Sequence, residues 1–154
     1  MLACLYTIRI FIGANAVGVS ISQWLLAFAM FFFLGLAFVK RFSELYIFGE
    51  MKKAVKGRGY LVSDLERVAN FGVVSSYISI LVLALYINSN EVMRLYQHPM
   101  ILWGICPLLL YWVSRVWFLT CRAQIHDDPV VFALKDKVSY VIGLIALGLI
   151  YLAI

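Results

Sequence analysis

Apolar residues in this chain come in long unbroken runs separated by short polar, mostly basic, stretches. Five runs stand out: about Leu2 to Gly18, Ser22 to Val39, Val68 to Ile87, Met100 to Leu119 and Val138 to Ile154. Runs of about 17–20 residues cross a ~30 Å hydrocarbon layer as helix. Alternation of period two is absent, so the pattern does not match the dyad repeat of outer-membrane barrel strands. The expectation is an all-α, polytopic membrane bundle of about five transmembrane helices, one domain over residues 1–154. The first run lacks a basic leader and an obvious small-residue cleavage site, so it is read as a span rather than a signal peptide.

The connections differ in character. A tight turn is expected near Val19 to Ser22, a long basic loop from Lys40 to Arg67, a short loop from Asn88 to Pro99 and a mixed loop from Thr120 to Lys137. Gly57-Arg58-Gly59 marks a flexible break. Ser63-Asp64-Leu65-Glu66 fits an S-x-x-E capping box, which predicts that the third helix starts at about Ser63. Asp128-Pro129 has the form of an N-cap followed by proline at the first helical position. It predicts a last helix starting there and entering the membrane near Val138.

Composition agrees with the pattern. Of 154 residues, 64% are hydrophobic and 14% charged, with a mean hydropathy of +0.95, whereas soluble domains carry about 25% charged residues. Water-soluble enzymes, DNA-binding proteins and disordered tails are excluded. The net charge of +5 is concentrated between apolar runs, which reads as topology rather than a nucleic-acid partner. Lys40, Arg41, Lys52, Lys53, Lys56, Arg58 and Arg67 lie in the long loop, and Arg122, Lys135 and Lys137 in the fourth. The opposite connections hold only Arg94. The positive-inside bias then puts both rich loops and the N-terminus in the cytoplasm and the C-terminus outside. Three cysteines imply no disulfide framework.

Several charged residues lie where a membrane makes charge costly. Lys40, Arg41 and Glu44 share a face if the second helix continues. They read either as snorkelling bases with one salt bridge or as a site where a carboxylate holds a divalent cation and the bases grip phosphate. Arg115 lies within an apolar run, and Tyr111, Arg115, Arg122 and His126 form one stripe if that helix persists. Anion binding, an internal ion pair and snorkelling are the alternatives for it. Arg9, one turn from Tyr6, is a similar cation in the first run. Asp127 and Asp128 are candidate magnesium ligands when phosphate is the co-ligand, or solvated and capping residues. Arg58, Tyr60 and Asp64 either close over a polar head group or belong to a mobile linker.

Leu5 to Gly13, Lys40-Arg-Phe-Ser-Glu-Leu45, Gly57 to Leu65 and His126 to Asp136 together resemble the C-terminal part of UbiA-superfamily prenyltransferases. The likeness is nearest to a bacterial branch that includes polyprenyl-phosphate phosphoribosyltransferases and members fused to a haloacid-dehalogenase-like domain. The resemblance implies a nine-helix bundle, of which this chain looks like the last five helices, with a cytoplasm-facing cavity and an apolar tunnel for a lipid chain. It implies magnesium as cofactor and a polyprenyl diphosphate or polyprenyl phosphate as partner. Lys40, Arg41 and Glu44 stand where members carry their second aspartate-rich motif, and Arg9, Asp127 and Asp128 are carried over with them. The Asn-Asp-x-x-Asp-x-x-x-Asp motif of the family's first half has no match here, so a separate N-terminal half is an implied partner.

The expected function is that of an inner-membrane UbiA-type transferase moving a prenyl group from a polyprenyl diphosphate to an aromatic or lipid acceptor. Lys40, Arg41 and Glu44 are its catalytic candidates, Arg9, Arg115, Arg122 and Tyr60 its substrate contacts, and Glu44, Asp127 and Asp128 its metal ligands. Phosphoribosyl transfer to a polyprenyl phosphate is the alternative. A non-catalytic membrane fragment or scaffold subunit is the rival from another class.

Overall fold

The computed structural model describes residues 5, 7–9, 12–13, 22–50, 62–122 and 129–154. Among these the structure is helical throughout, with no strand. The elements are α1 (Gln23–Glu50), a 3-10 turn (Val62–Asp64), α2 (Leu65–Ile87), α3 (Asn90–Leu95), a second 3-10 turn (Pro99–Gly104), α4 (Ile105–Cys121), α5 (Pro129–Lys135) and α6 (Lys137–Ala153). Three stretches are long and apolar enough to cross a membrane: Gln23–Ile47, Leu65–Ile87 and Pro99–Cys121. The chain is an all-helical membrane protein. Lys137–Ala153 is a shorter apolar helix, and most of the first expected span lies outside the described residues.

Cross-helix contacts fix the topology. Gly35 meets Ser76 and Phe38 meets Gly72, while Phe42 packs with Val68, so α1 and α2 run antiparallel. Trp117 donates from Nε1 to Ser76 Oγ at 3.3 Å, and Tyr77 Oη lies 2.9 Å from Ser114 Oγ, so α4 is antiparallel to α2. Gly104 against Leu149 and Trp112 against Ser139 set α6 antiparallel to α4. The result is an up-down-up-down bundle whose Lys40, Arg67, Arg122 and Asp136 all lie at one end.

The seams between helices use small residues, because helices in lipid associate by close packing rather than by excluding water. A Cβ on Gly72 would overlap the Trp117 ring and the Phe38 side chain, so glycine there admits the indole between α1 and α2. Buried hydroxyls are satisfied on their own helices: Ser75 donates to the Phe71 carbonyl at 2.7 Å, Ser76 to Gly72 at 2.8 Å and Thr120 to Val116 at 2.7 Å. This is how such groups avoid an unpaired polar atom in an apolar surround. Phe71, Leu81, Leu144 and Leu147 point outward and are exposed. Helices apolar on every face are those of a membrane interior.

Four boundaries differ from the sequence expectations. α1 does not stop at Val39. From Gln23 to Lys40 it already rises about 27 Å at 1.5 Å per residue, so its last turns extend past a ~30 Å layer, held by buried Phe42 and Leu45 against Val68. The Ser63–Glu66 capping box does not form: the N-cap of α2 is Asp64, which makes no side-chain capping bond. Three residues on from that cap stands Arg67, and Arg67 Nη1 approaches Asp64 Oδ1 at 3.8 Å. The Asn88–Pro99 loop contains α3, and the Thr120–Lys137 loop contains α5. A helix does start at Pro129, but it breaks at Asp136, which caps α6 by accepting a hydrogen bond from the Ser139 backbone N–H at 2.9 Å.

Candidate functional site

The basic end of the bundle gathers most of the described candidates. α1 carries Lys40, Arg41 and Glu44 where it leaves the apolar layer. Arg41 Nη1 donates to Glu44 Oε2 at 2.6 Å, and both side chains are half-buried. Spacing of three on one helix brings them together, so the salt bridge of the simpler reading is present. Lys40 is half-buried beside them.

Arg115 is an internal ion pair. Its Nη1 and Nη2 donate to Asp136 Oδ2 and Oδ1 at 2.7 and 3.0 Å, a fork-to-fork arrangement that gives geometry as well as charge. The side chains keep 23% and 14% of their exposure. Asp136 Oδ2 also accepts from the Ser139 hydroxyl at 2.9 Å, and that hydroxyl accepts from Trp112 Nε1 at 2.8 Å. The ring of Phe132 lies 5.9 Å from Arg115 Cζ, near enough for a cation–π contact. One carboxylate thus ties α4, α5 and α6 together. Burial pushes the Asp136 carboxyl up, but hydrogen bonds from Arg115 and Ser139 and the charge of Arg115 outweigh it and leave it below its ordinary value.

Next to this clamp, Tyr111, Ser114, Arg115, Phe118, Leu119 and Arg122 line an open groove of about 370 Å³ along one side of α4. The expected stripe is therefore real from Tyr111 to Arg122, though α4 ends at Cys121 and Arg122 is its C-cap. Arg122 is exposed at the groove's end. Phe118 and Leu119 give it an apolar wall, and the Ser114 hydroxyl donates to the Leu110 carbonyl at 2.7 Å while meeting Tyr77.

The chain is similar to two known proteins. One is an uncharacterized protein, y4nM, of Sinorhizobium fredii, 37% identical over 146 residues that make up 93% of this chain and 28% of y4nM. The other is the nodulation protein NoeC of Azorhizobium caulinodans, 32% identical over 154 residues, 99% of this chain and 50% of NoeC. The chain thus spans half or less of the length of these curated relatives. No protein-family model and no solved structure matches it.

The structure brings Arg115 and Arg122 to one groove and Arg41 to Glu44. Arg9 is exposed in a helical stretch at residues 7–9. Tyr60, His126, Asp127 and Asp128 lie outside the described residues. Glu44 binds Arg41 through Oε2, and its expected metal partners Asp127 and Asp128 lie outside the described residues, among which no three His, Cys, Asp or Glu side chains converge. Sequence reasoning missed Asp136 and its partners Ser139 and Trp112. The signal for the first two was present: Asp136-x-x-Ser139 before an apolar run is an N-cap pattern.

Proposed function

We propose that this chain is the C-terminal part of a UbiA-type transferase of the inner membrane. In this reading the first run and Lys137–Ala153 complete a set of five spans, with the Lys40 end of the bundle and the N-terminus in the cytoplasm and the C-terminus outside. The groove beside α4 carries the proposal: an apolar wall of Phe118 and Leu119 leads to Arg122, the sequence of surfaces a phosphorylated polyprenyl lipid requires. Arg122 takes the phosphate. Arg115 shapes the groove, its charge already balanced by Asp136. Lys40 and Arg41, at the same end of the bundle but outside the groove lining, are the candidates for stabilising charge on a leaving phosphate in the assembled site.

Two reaction classes fit. The first is prenyl transfer from a polyprenyl diphosphate to an aromatic or lipid acceptor. Magnesium would screen the diphosphate, with Glu44, Asp127, Asp128 and acidic residues of an N-terminal half as its ligands. The second is phosphoribosyl transfer to a polyprenyl phosphate. Its lipid substrate is a phosphate monoester that basic side chains such as Arg122 can engage, while its diphosphate donor needs magnesium as the first class does. The reach of y4nM and NoeC beyond the matched region supports a reading in which further sequence completes the site.

Binding tests the groove. The chain in lipid nanodiscs should retain a polyprenyl phosphate over the corresponding polyprenol, and Arg122→Gln should weaken that preference about tenfold, as expected for one lost charge-assisted contact of about 1.4 kcal/mol. Equal retention of phosphate and alcohol, or an unchanged preference in a folded Arg122→Gln protein, contradicts the assignment.

A further inference from the structure

The connection between α2 and α4 carries apolar side chains that the bundle does not cover. α3 packs inward through Val92, which is 0% exposed, and Tyr96 lies against the same core. Val92, within α3, defines the direction from the helix into the bundle, and Tyr96 follows as the C-cap. At about 100° per residue, Arg94 falls nearly opposite Val92 and Leu95 only about 60° from it. Leu95 therefore leans toward the bundle side of α3, yet it is 72% exposed. Met93 is exposed on the other flank, and Met100, in the 3-10 turn that leads into α4, is 81% exposed.

From these placements we infer that α3 and the turn after it form an anchor lying in the membrane interface, with Met93, Leu95 and Met100 among the acyl chains and Arg94 at the lipid phosphates. The occupant is the bilayer, for two reasons. Residues 88–98 join two membrane-spanning stretches directly, Leu65–Ile87 and Pro99–Cys121, so α3 sits at the height of the boundary and Met100 at the start of the second stretch. The segment's exposed apolar side chains also continue the outward surfaces of those helices, where Leu81, Leu85 and Trp103 are exposed as well. A hydrogen bond from the His98 backbone N–H to the Ala153 carbonyl, 3.1 Å long, pins the segment to the end of α6, so it cannot lift into water without breaking that tie. A short helix with an apolar underside and a basic top is stabilised in this setting by buried apolar area and by attraction to lipid phosphate. This inference rests on the chain's being a membrane protein and is independent of the transferase reading.

The test is depth. Nitroxide labels are placed singly at Leu95→Cys, Met100→Cys and, as a solvent reference, Gln97→Cys, in full-length chain whose native cysteines are replaced by alanine, reconstituted in phosphatidylcholine–phosphatidylglycerol vesicles. Labels at 95 and 100 should collide several-fold more often with oxygen than with a water-soluble nickel chelate, and the label at 97 should reverse that order. Position 95 decides, and Met93→Cys, on the same helix, takes its place if that variant fails to fold. Nickel access at 95 and 100 equal to that at 97 makes the segment an aqueous loop. Shielding from both reagents means that protein covers it. Either result overturns the inference.

Discussion

Removing Arg115 should destabilise the bundle rather than merely empty a ligand site. Arg115→Met deletes both donors to Asp136 and leaves that carboxylate, 14% exposed, with only the Ser139 hydroxyl and N–H. Breaking a fully buried pair by removing one partner costs about 3–5 kcal/mol. Residual solvent at both side chains lowers the expectation here to about 2–3 kcal/mol. Asp136→Asn should cost a similar amount, because it strands the guanidinium, although asparagine still caps α6. The double variant removes both charges and should cost no more than either single variant, about 2–3 kcal/mol, giving a coupling of about 2–3 kcal/mol in a double-mutant cycle. Unfolding by sodium dodecyl sulfate in mixed micelles, followed by tryptophan fluorescence, reads these differences. Additive single effects, or an Arg115→Met protein as stable as the parent, would refute the clamp.

Three further outcomes follow from the same geometry. Asp136 titrates below its ordinary value of 3.8, so its contribution is complete above that pH and is lost as pH falls through the lower folded-state value. Stability should therefore drop on acidification below about pH 4, and less steeply in Asp136→Asn. Gly72→Ala should cost about 1–3 kcal/mol by forcing the Trp117 ring and Phe38 apart, measured by the same unfolding assay. Trp112→Phe removes the donor to Ser139 and should cost about 1 kcal/mol, whereas Trp24→Phe, at a position largely exposed, should change stability little.

The apolar runs made three membrane-crossing helices legible in the sequence, since run length alone sets that reading. Helix ends were harder. Lys40 and Arg41 look like a boundary, yet Val39, Phe42 and Leu45 behind them continue the buried seam at helical spacing, and that periodicity keeps α1 going. Asp128-Pro129 drew the last helix start to itself and hid the second start at Asp136. The partner of Arg115 was out of reach for a different reason. It lies 21 residues away on another helix, and only the antiparallel packing of α4 and α6 selects Asp136 over the other acidic residues. The groove was half legible: the stripe of Tyr111, Arg115 and Arg122 follows from helical spacing, but its extension to His126 assumed a helix that stops at Cys121.

The most direct measurement of the transferase account is turnover by the assembled protein. The chain, joined to or co-expressed with an N-terminal half bearing the missing aspartates, is purified in detergent and assayed for pyrophosphate release from prenyl diphosphates with aromatic or lipid acceptors, and from phosphoribosyl diphosphate with a polyprenyl phosphate. The account predicts magnesium-dependent release with one of these donors, reduced by Arg122→Gln and absent from the chain alone. A folded assembly that binds neither donor and releases no pyrophosphate with either would contradict it and leave a non-catalytic membrane protein. Robust turnover by the isolated chain would contradict the claim that the site is shared with a second half.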